Sequence, residues 1–197
     1  MLTGIDHSDH DWPTIDIRPD LRVLIAGTAV IALVSAAMLP PSIAVASTIL
    51  GALMVAGADV DARTYLLPDL VTLGALLCGV LVPLALDPFS PLQAAGLALV
   101  RGAATALVLA LVRWAYAWRR GREGIGLGDV KLAAAIGAWL PVEAIPVCFL
   151  LATGGAFVAV LFARWRGESF DRAARIPFGA FLCPSLWFTF FLYALAE

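Results

Sequence analysis

Charge is scarce in this sequence. Of its 197 residues only 14% are Asp, Glu, Lys or Arg, where a soluble domain carries about 25%. The net charge of −2 provides no long-range attraction to nucleic acid, and none is expected as a partner. Cysteine is scarcer. Cys78, Cys148 and Cys183 each lie in an apolar run and none forms a C-x-x-C pair, which argues against a zinc knuckle, a thioredoxin-type site or a disulfide framework. The remainder is largely apolar: 61% of residues are hydrophobic and the mean hydropathy is +0.92. A soluble protein of this size could accommodate that composition only by leaving large apolar patches in water. The composition argues against a soluble globular class and excludes disorder, and the chain reads as an integral membrane protein.

Residues 1–20 are polar and acidic, unlike the basic and apolar start of a secretory signal. They read as a cytoplasmic tail, and the run Asp6-His7-Ser8-Asp9-His10-Asp11 within them as a solvated segment rather than a metal cluster. Beyond them, apolar spans fall at 21–39, 42–58, 70–86, 92–112, 130–140, 143–163 and 177–196. Crossing about 30 Å of hydrocarbon takes about 20 residues of helix, and only the 130–140 segment is clearly short. The expected fold is an all-α polytopic bundle of six to seven transmembrane helices. Small residues such as Ala133, Ala134, Gly137 and Ala138 suit close helix packing within it.

Basic residues indicate the orientation. Arg18, Arg22, Arg63, Arg113, Arg119, Arg120, Arg122, Lys131, Arg164, Arg166, Arg172 and Arg175 fall at or before the start of the first span or in and beside the loops after the second, fourth and sixth. The turns at 40–41, 87–91 and 141–142 carry no Lys or Arg. By the positive-inside rule the N-terminus and the basic loops are cytoplasmic and the C-terminus lies outside.

Acids beside membrane spans are costly, each roughly 2.5–3.5 kcal/mol at a helix centre, and so point to function. Asp59 and Asp61 end the second span, Asp69 follows Pro68 at the start of the third, and Asp129 opens the fifth. All four fall at the same face. Two carboxylates held together near apolar surroundings do not both ionise easily, which leaves one protonated and one charged. An aspartic hydrolase needs that state: the charged acid takes a proton from water and the neutral one donates to the peptide carbonyl. In Gly124-Ile-Gly126-Leu-Gly128-Asp129 the alternating glycines allow close backbone approach and positive φ before the acid, so that a substrate chain could lie there as an extended strand. A glycine-rich turn capped by Asp is the other reading of the same residues.

Three stretches together resemble the type IV prepilin peptidases, membrane aspartic proteases of the G-x-G-D kind. Asp61-Ala-Arg-Thr-Tyr-Leu-Leu-Pro68-Asp69 is similar to the family's D-x6-P-D, Gly126-Leu-Gly128-Asp129-Val-Lys131-Leu to its G-x-G-D-x-K-L, and Arg175-Ile-Pro177-Phe178-Gly179 to its I-P-F-G-P. The resemblance covers roughly 21–196 and implies a peptidase domain over 21–197 in the bacterial inner membrane. It implies cleavage of the basic leader from a pilin, pseudopilin or Flp-type precursor, with no metal or cofactor. It places the catalytic pair on Asp61 and Asp129. Asp69, Gly126, Gly128 and Lys131 become substrate-binding or supporting residues, although Asp69 also reads as a cap of the third span and Lys131 as a snorkelling lysine. Ala180 departs from the family's second proline. The paired C-x-x-C domain of bifunctional members has no counterpart in this sequence, so a short form without N-methylation is expected.

Presenilin-like proteases share G-x-G-D but also carry a tyrosine-aspartate pair and a P-A-L motif, both absent here. A proton-coupled transporter would also use paired membrane acids, but usually shows inverted repeats. Asp59, two residues before Asp61, is expected to point away from it as a pairing or solvated acid. Arg101, nine residues into the fourth span, lies about 13 Å deep and is expected to face the bundle interior, bonded to an acid or to carbonyl groups. Glu143 is expected to cap the sixth span, and Trp114, Trp118, Trp139, Trp165 and Trp187 to be mostly interfacial anchors.

Overall fold

The computed structural model describes residues 17–121, 124–166 and 177–196, which form helices and no strand. The acidic tail through Asp16, and Arg122, Arg172, Arg175 and Ile176 of the sequence reading, lie outside these residues. The helices are α1 (Leu21–Met38), α2 (Pro41–Thr64), α3 (Asp69–Leu86), α4 (Pro91–Arg120), α5 (Leu127–Trp139), α6 (Ile145–Trp165) and α7 (Gly179–Ala196). Six are long and apolar enough to cross a membrane. The exception is α5, whose 13 residues span about 20 Å.

The sequence explains both the starts and the stops. Pro41 and Pro91 stand in the first turns of α2 and α4, where proline's missing N–H costs nothing. Asp20 caps α1 by accepting from the Arg22 N–H. α4 ends on Gly121 at φ 65°, the left-handed stop that glycine adopts freely. α2 ends at Tyr65, also left-handed, whose N–H bonds back to the Asp61 carbonyl. Asp59 and Asp61 thus belong to the last turns of α2, because the helix continues six residues past the apolar run that ends at Ala58. Glu143 does not cap α6: it sits in the turn before the helix, the N-cap is Ala144, and no side chain bonds there.

α5 is the centre of the bundle, packed by α3, α4, α7 and, lightly, α6. Leu132, Ala133, Ala135, Ile136, Ala138 and Trp139 are all buried. A helix too short to span is therefore shielded from lipid by its neighbours, which satisfies the constraint on backbone ends at membrane depth. Small residues set the closest approaches, as expected. A Cβ at Gly102 would fall 2.8 Å from the Ala134 carbonyl oxygen, and one at Gly79 would fall 2.9 Å from the Ala138 Cβ.

Two tryptophans depart from interfacial anchoring. Trp139 is buried in the core and donates to the Ala75 carbonyl at 2.7 Å. Trp187 lies midway along α7 and donates at 3.1 Å to Ser47, itself hydrogen-bonded to Ser35. Each indole N–H meets a polar group on a neighbouring helix, which a bundle interior rewards as an interface does. Trp114, Trp118 and Trp165 are exposed near helix ends.

Candidate active site

Asp61 and Asp129 come from helices with no sequence proximity, yet both are buried at one end of the bundle, 4% and 8% exposed. They are close enough for the charge of one to act on the other. The Cys183 thiol of α7 lies within electrostatic reach of both.

Each carboxylate is held by a backbone N–H at a helix start. Asp61 Oδ2 accepts from the Ala180 N–H at 2.8 Å, in the first turn of α7. Asp129, in the first turn of α5, reaches back to the Gly126 N–H at 3.3 Å. Asp129 is therefore the third residue of α5 rather than its cap; the capping position belongs to Gly126. The positive ends of α5 and α7 both face the acid pair and compensate negative charge there, whereas the C-terminal position of Asp61 on α2 opposes it.

Leu67 ties these parts together. A Cβ on Gly128 would fall 2.9 Å from the Leu67 Cβ, and one on Gly179 would fall 2.6 Å from its Cδ1. One side chain in the α2–α3 connection therefore packs against the residue before Asp129 and against the start of α7. Gly179 is itself confined: a Cβ there would meet Asp61 Oδ2 at 2.9 Å. Leu67 and the Ala180 N–H were not singled out from sequence. Leu67 lies inside the D-x6-P-D stretch as an unremarked leucine, and any residue other than proline supplies the N–H.

The glycines act through space rather than torsion. Gly126 is extended at φ −70°, and among the described residues the only positive-φ glycine is Gly121, so the expected positive φ before Asp129 is not found. α5 begins at Leu127, which leaves Gly126 as an ordinary extended N-cap and Gly128 helical. Close approach does hold, with Gly124 against the Tyr116 ring and Gly128 against Leu67. Arg113 Nε fixes the segment by donating to the Ile125 carbonyl at 2.9 Å.

The remaining acids have other partners. Asp59 forms an ion pair with Arg63 at 2.6 Å and accepts the Asp20 N–H at 2.7 Å, turned from Asp61 as expected. Asp69 is the first residue of α3 behind Pro68 and makes no capping bond. Its Oδ1 pairs instead with Lys131 Nζ at 2.5 Å, joining the starts of α3 and α5. Lys131 thus addresses Asp69 and not Asp129. Arg101 is half-buried and donates Nε to the Gly137 carbonyl at 3.2 Å, a carbonyl partner as expected. Among the described residues no group of three or more His, Cys, Asp or Glu side chains could hold a metal ion.

The model of the Type IV leader peptidase family matches residues 48–163, a stretch that includes both buried acids. This chain belongs to that family. It is 40% identical over 155 residues to a prepilin leader peptidase/N-methyltransferase of Dickeya chrysanthemi, covering 76% of this chain and 49% of that protein. It is 40% identical over 144 residues to one of Burkholderia pseudomallei, covering 73% and 45%. A third, of Aeromonas salmonicida, is 36% identical over 162 residues, covering 81% and 54%. The chain spans about half the length of these curated relatives. No solved structure matches it. Family membership and six apolar helices together make this leader-peptidase relative a multi-pass membrane protein.

Proposed function

We propose that this protein is an aspartic endopeptidase of the bacterial inner membrane. It cuts the basic leader from type IV prepilin-like precursors at the cytoplasmic face, with Asp61 and Asp129 as the catalytic pair. The observation that carries this reading is a pair of buried carboxylates within electrostatic reach of each other, each bonded to a helix-start N–H. With one acid ionised and the other protonated, the pair activates a water between them. The ionised carboxylate takes a proton from the water as its oxygen attacks the scissile carbonyl carbon. The protonated acid gives its proton to the carbonyl oxygen. On collapse, the acid that took the water's proton gives it to the departing nitrogen, the C–N bond breaks, and the hydroxyl proton returns to the other acid as the carbonyl re-forms.

The position of the pair at a helix end suits a bond between a water-soluble leader and an apolar helix. The exposed, extended Gly126 and the neighbouring Gly124 present backbone along which an unfolded substrate segment can lie. Asp69 and Lys131 support the site by joining α3 to α5 beside Asp129. The basic residues flanking this end support a cytoplasmic position for it.

Incubation of the purified protein in lipid with precursors carrying a basic leader, followed by mass spectrometry of the products, tests the reading. Cleavage after a glycine at the junction of leader and apolar helix is expected, and the mass of the new N-terminus reads methylation directly. Intact precursor with every pilin, pseudopilin and Flp-type substrate would overturn it.

A further inference from the structure

α2, which carries Asp61, is not among the helices that pack along α5, which carries Asp129. The relative position of the two acids is therefore set through intermediaries, and Leu67 in the α2–α3 connection is placed to be one. Three glycines meet its side chain. A Cβ on Gly128 would fall 2.9 Å from the Leu67 Cβ, one on Gly179 2.6 Å from its Cδ1, and one on Gly57 3.4 Å from its Cδ2. Each glycine adjoins a part of the acid site. Gly128 precedes Asp129. Gly179 precedes Ala180, whose N–H holds Asp61 at 2.8 Å. Gly57 lies four residues before Asp61 on α2, one turn away on the same face. The leucine is itself held. Pro68 disfavours helical backbone at the residue before it. Tyr65 takes a left-handed φ of 58°, which a bulky residue keeps only where its surroundings impose it. The Thr64 hydroxyl braces the turn, donating to the Val60 carbonyl at 2.8 Å and accepting the Leu66 N–H at 3.3 Å. The chain turns back as soon as α2 ends, which brings Leu67 against Gly57 of that same helix.

We infer that Leu67 is a positioning residue, the spacer whose side chain sets how Asp61 and Asp129 sit relative to each other. Its effect on rate rests on the function proposed above; its effect on the geometry of the acids does not. Asp61 stands on α2 and is anchored at the start of α7, Asp129 stands at the start of α5, and all three elements abut this one leucine. With the leucine truncated, the starts of α5 and α7 lose their common stop and settle separately. A displacement of about 1 Å between catalytic groups can cost about 10²-fold in rate. The glycines are the complement of the spacer: Leu67 fits between the helix starts because Gly128 and Gly179 carry no Cβ. A methyl group added at Gly128 pushes on Leu67, and Leu67 passes the push to Gly179 and so to the N–H that holds Asp61. The leucine touches neither water nor substrate in this role; it acts through the carboxylates.

The test uses the full-length protein in lipid, with Leu53 of α2 as the control. Leu53 is likewise half-buried against the core, but a Cβ on its glycine neighbour, Gly74, would lie an ordinary 3.7 Å away. Leu67→Ala is expected to lower kcat about 10²-fold with KM little changed, and Leu53→Ala to leave kcat as it is. Leu67→Met, which keeps the volume, is expected to retain most of the rate. Should Leu67→Ala not fold, Leu67→Val is read against Leu53→Val in the same way. Gly128→Ala is expected to lose rate in the unaltered protein and almost nothing further when added to Leu67→Ala, because the push is no longer passed on. Losses that add, or full kcat in Leu67→Ala, would overturn the inference. A second readout needs no substrate: the infrared band of the protonated carboxyl, identified by its loss in Asp61→Asn or Asp129→Asn. It is expected to shift in Leu67→Ala and not in Leu53→Ala, and an unmoved band in Leu67→Ala would also overturn the inference. If the unaltered protein cuts no precursor while the band shifts, the peptidase reading fails and the role of Leu67 stands. If precursor is cut and Leu67→Ala cuts it at the full rate, the reverse holds.

Discussion

Gly137→Ala places a single methyl group where α4 and α5 touch. Its Cβ would lie 2.7 Å from the Arg101 carbonyl carbon, closer still to that oxygen, and 2.5 Å from Thr105 Oγ1. Ordinary carbon contacts begin near about 3.5 Å, so the helices must part by about 1 Å, enough to forfeit a quarter to a half of the dispersion energy along the contact. Overpacking of this kind costs about 1–3 kcal/mol. Replacing glycine by alanine within a helix returns up to about 1 kcal/mol, so the informative comparison is with a glycine in open space. Gly154 on α6 is one, since a Cβ there meets nothing within 4 Å. Gly137→Ala is therefore expected to be about 1–3 kcal/mol less stable than Gly154→Ala, read as the shift of thermal unfolding in one detergent. Activity should fall further than stability. α5 carries Asp129 eight residues away, and a misplacement of about 1 Å can cost about 10²-fold in rate. Equal stability and equal kcat in the two variants would refute the view that this contact positions Asp129.

Three further outcomes follow from the same geometry. Gly179→Ala would push a methyl against Asp61 Oδ2 and Leu67; it is expected to fold but lose about 10²-fold in kcat, since the carboxylate must shift, and an unchanged kcat would contradict the placement of Asp61. Lys131→Ala removes an ion pair whose side chains are 42% and 64% exposed, so the change in unfolding midpoint should correspond to less than about 1 kcal/mol; a larger loss would show that the pair does more than tie two exposed helix starts. For orientation, cysteines introduced at Phe89 (95% exposed) and Leu66 (49% exposed) in a background lacking Cys78, Cys148 and Cys183 should label from opposite sides. Phe89→Cys is expected to react with an impermeant maleimide in intact cells and Leu66→Cys only after permeabilisation; the reverse would invert the bundle and move the acids outside.

The features legible in the sequence were those with a pattern behind them. Seven apolar runs gave seven helices, six of them long enough to span, and the misplaced ends have a common cause. Hydropathy marks where lipid stops, whereas helical hydrogen bonding continues into water, so α2 runs past Asp61 and α4 reaches Arg120. The shortness of α5 was visible, but its burial was not, because an Ala-rich segment reads alike facing lipid or protein. Both buried acids stood out as ionisable residues beside membrane spans. Their support did not: Asp61 is held by a main-chain N–H that no side chain advertises, and the Leu67 contact depends on one loop meeting two helix starts. Lys131 finds Asp69 across 62 residues of chain, a partner that no local spacing marks. Trp139 and Trp187 departed because an indole N–H is satisfied equally by an interface or by a neighbouring helix.

The account rests on Asp61 and Asp129 acting as one catalytic unit. Single-turnover cleavage of a leader-bearing precursor by Asp61→Asn, by Asp129→Asn and by the double variant tests it most directly, with precursor binding and thermal unfolding measured alongside. All three are expected to fold and bind normally and to be equally inactive, because groups that act together are lost together. A single Asn variant that folds, binds and cuts at the unaltered rate would contradict the account.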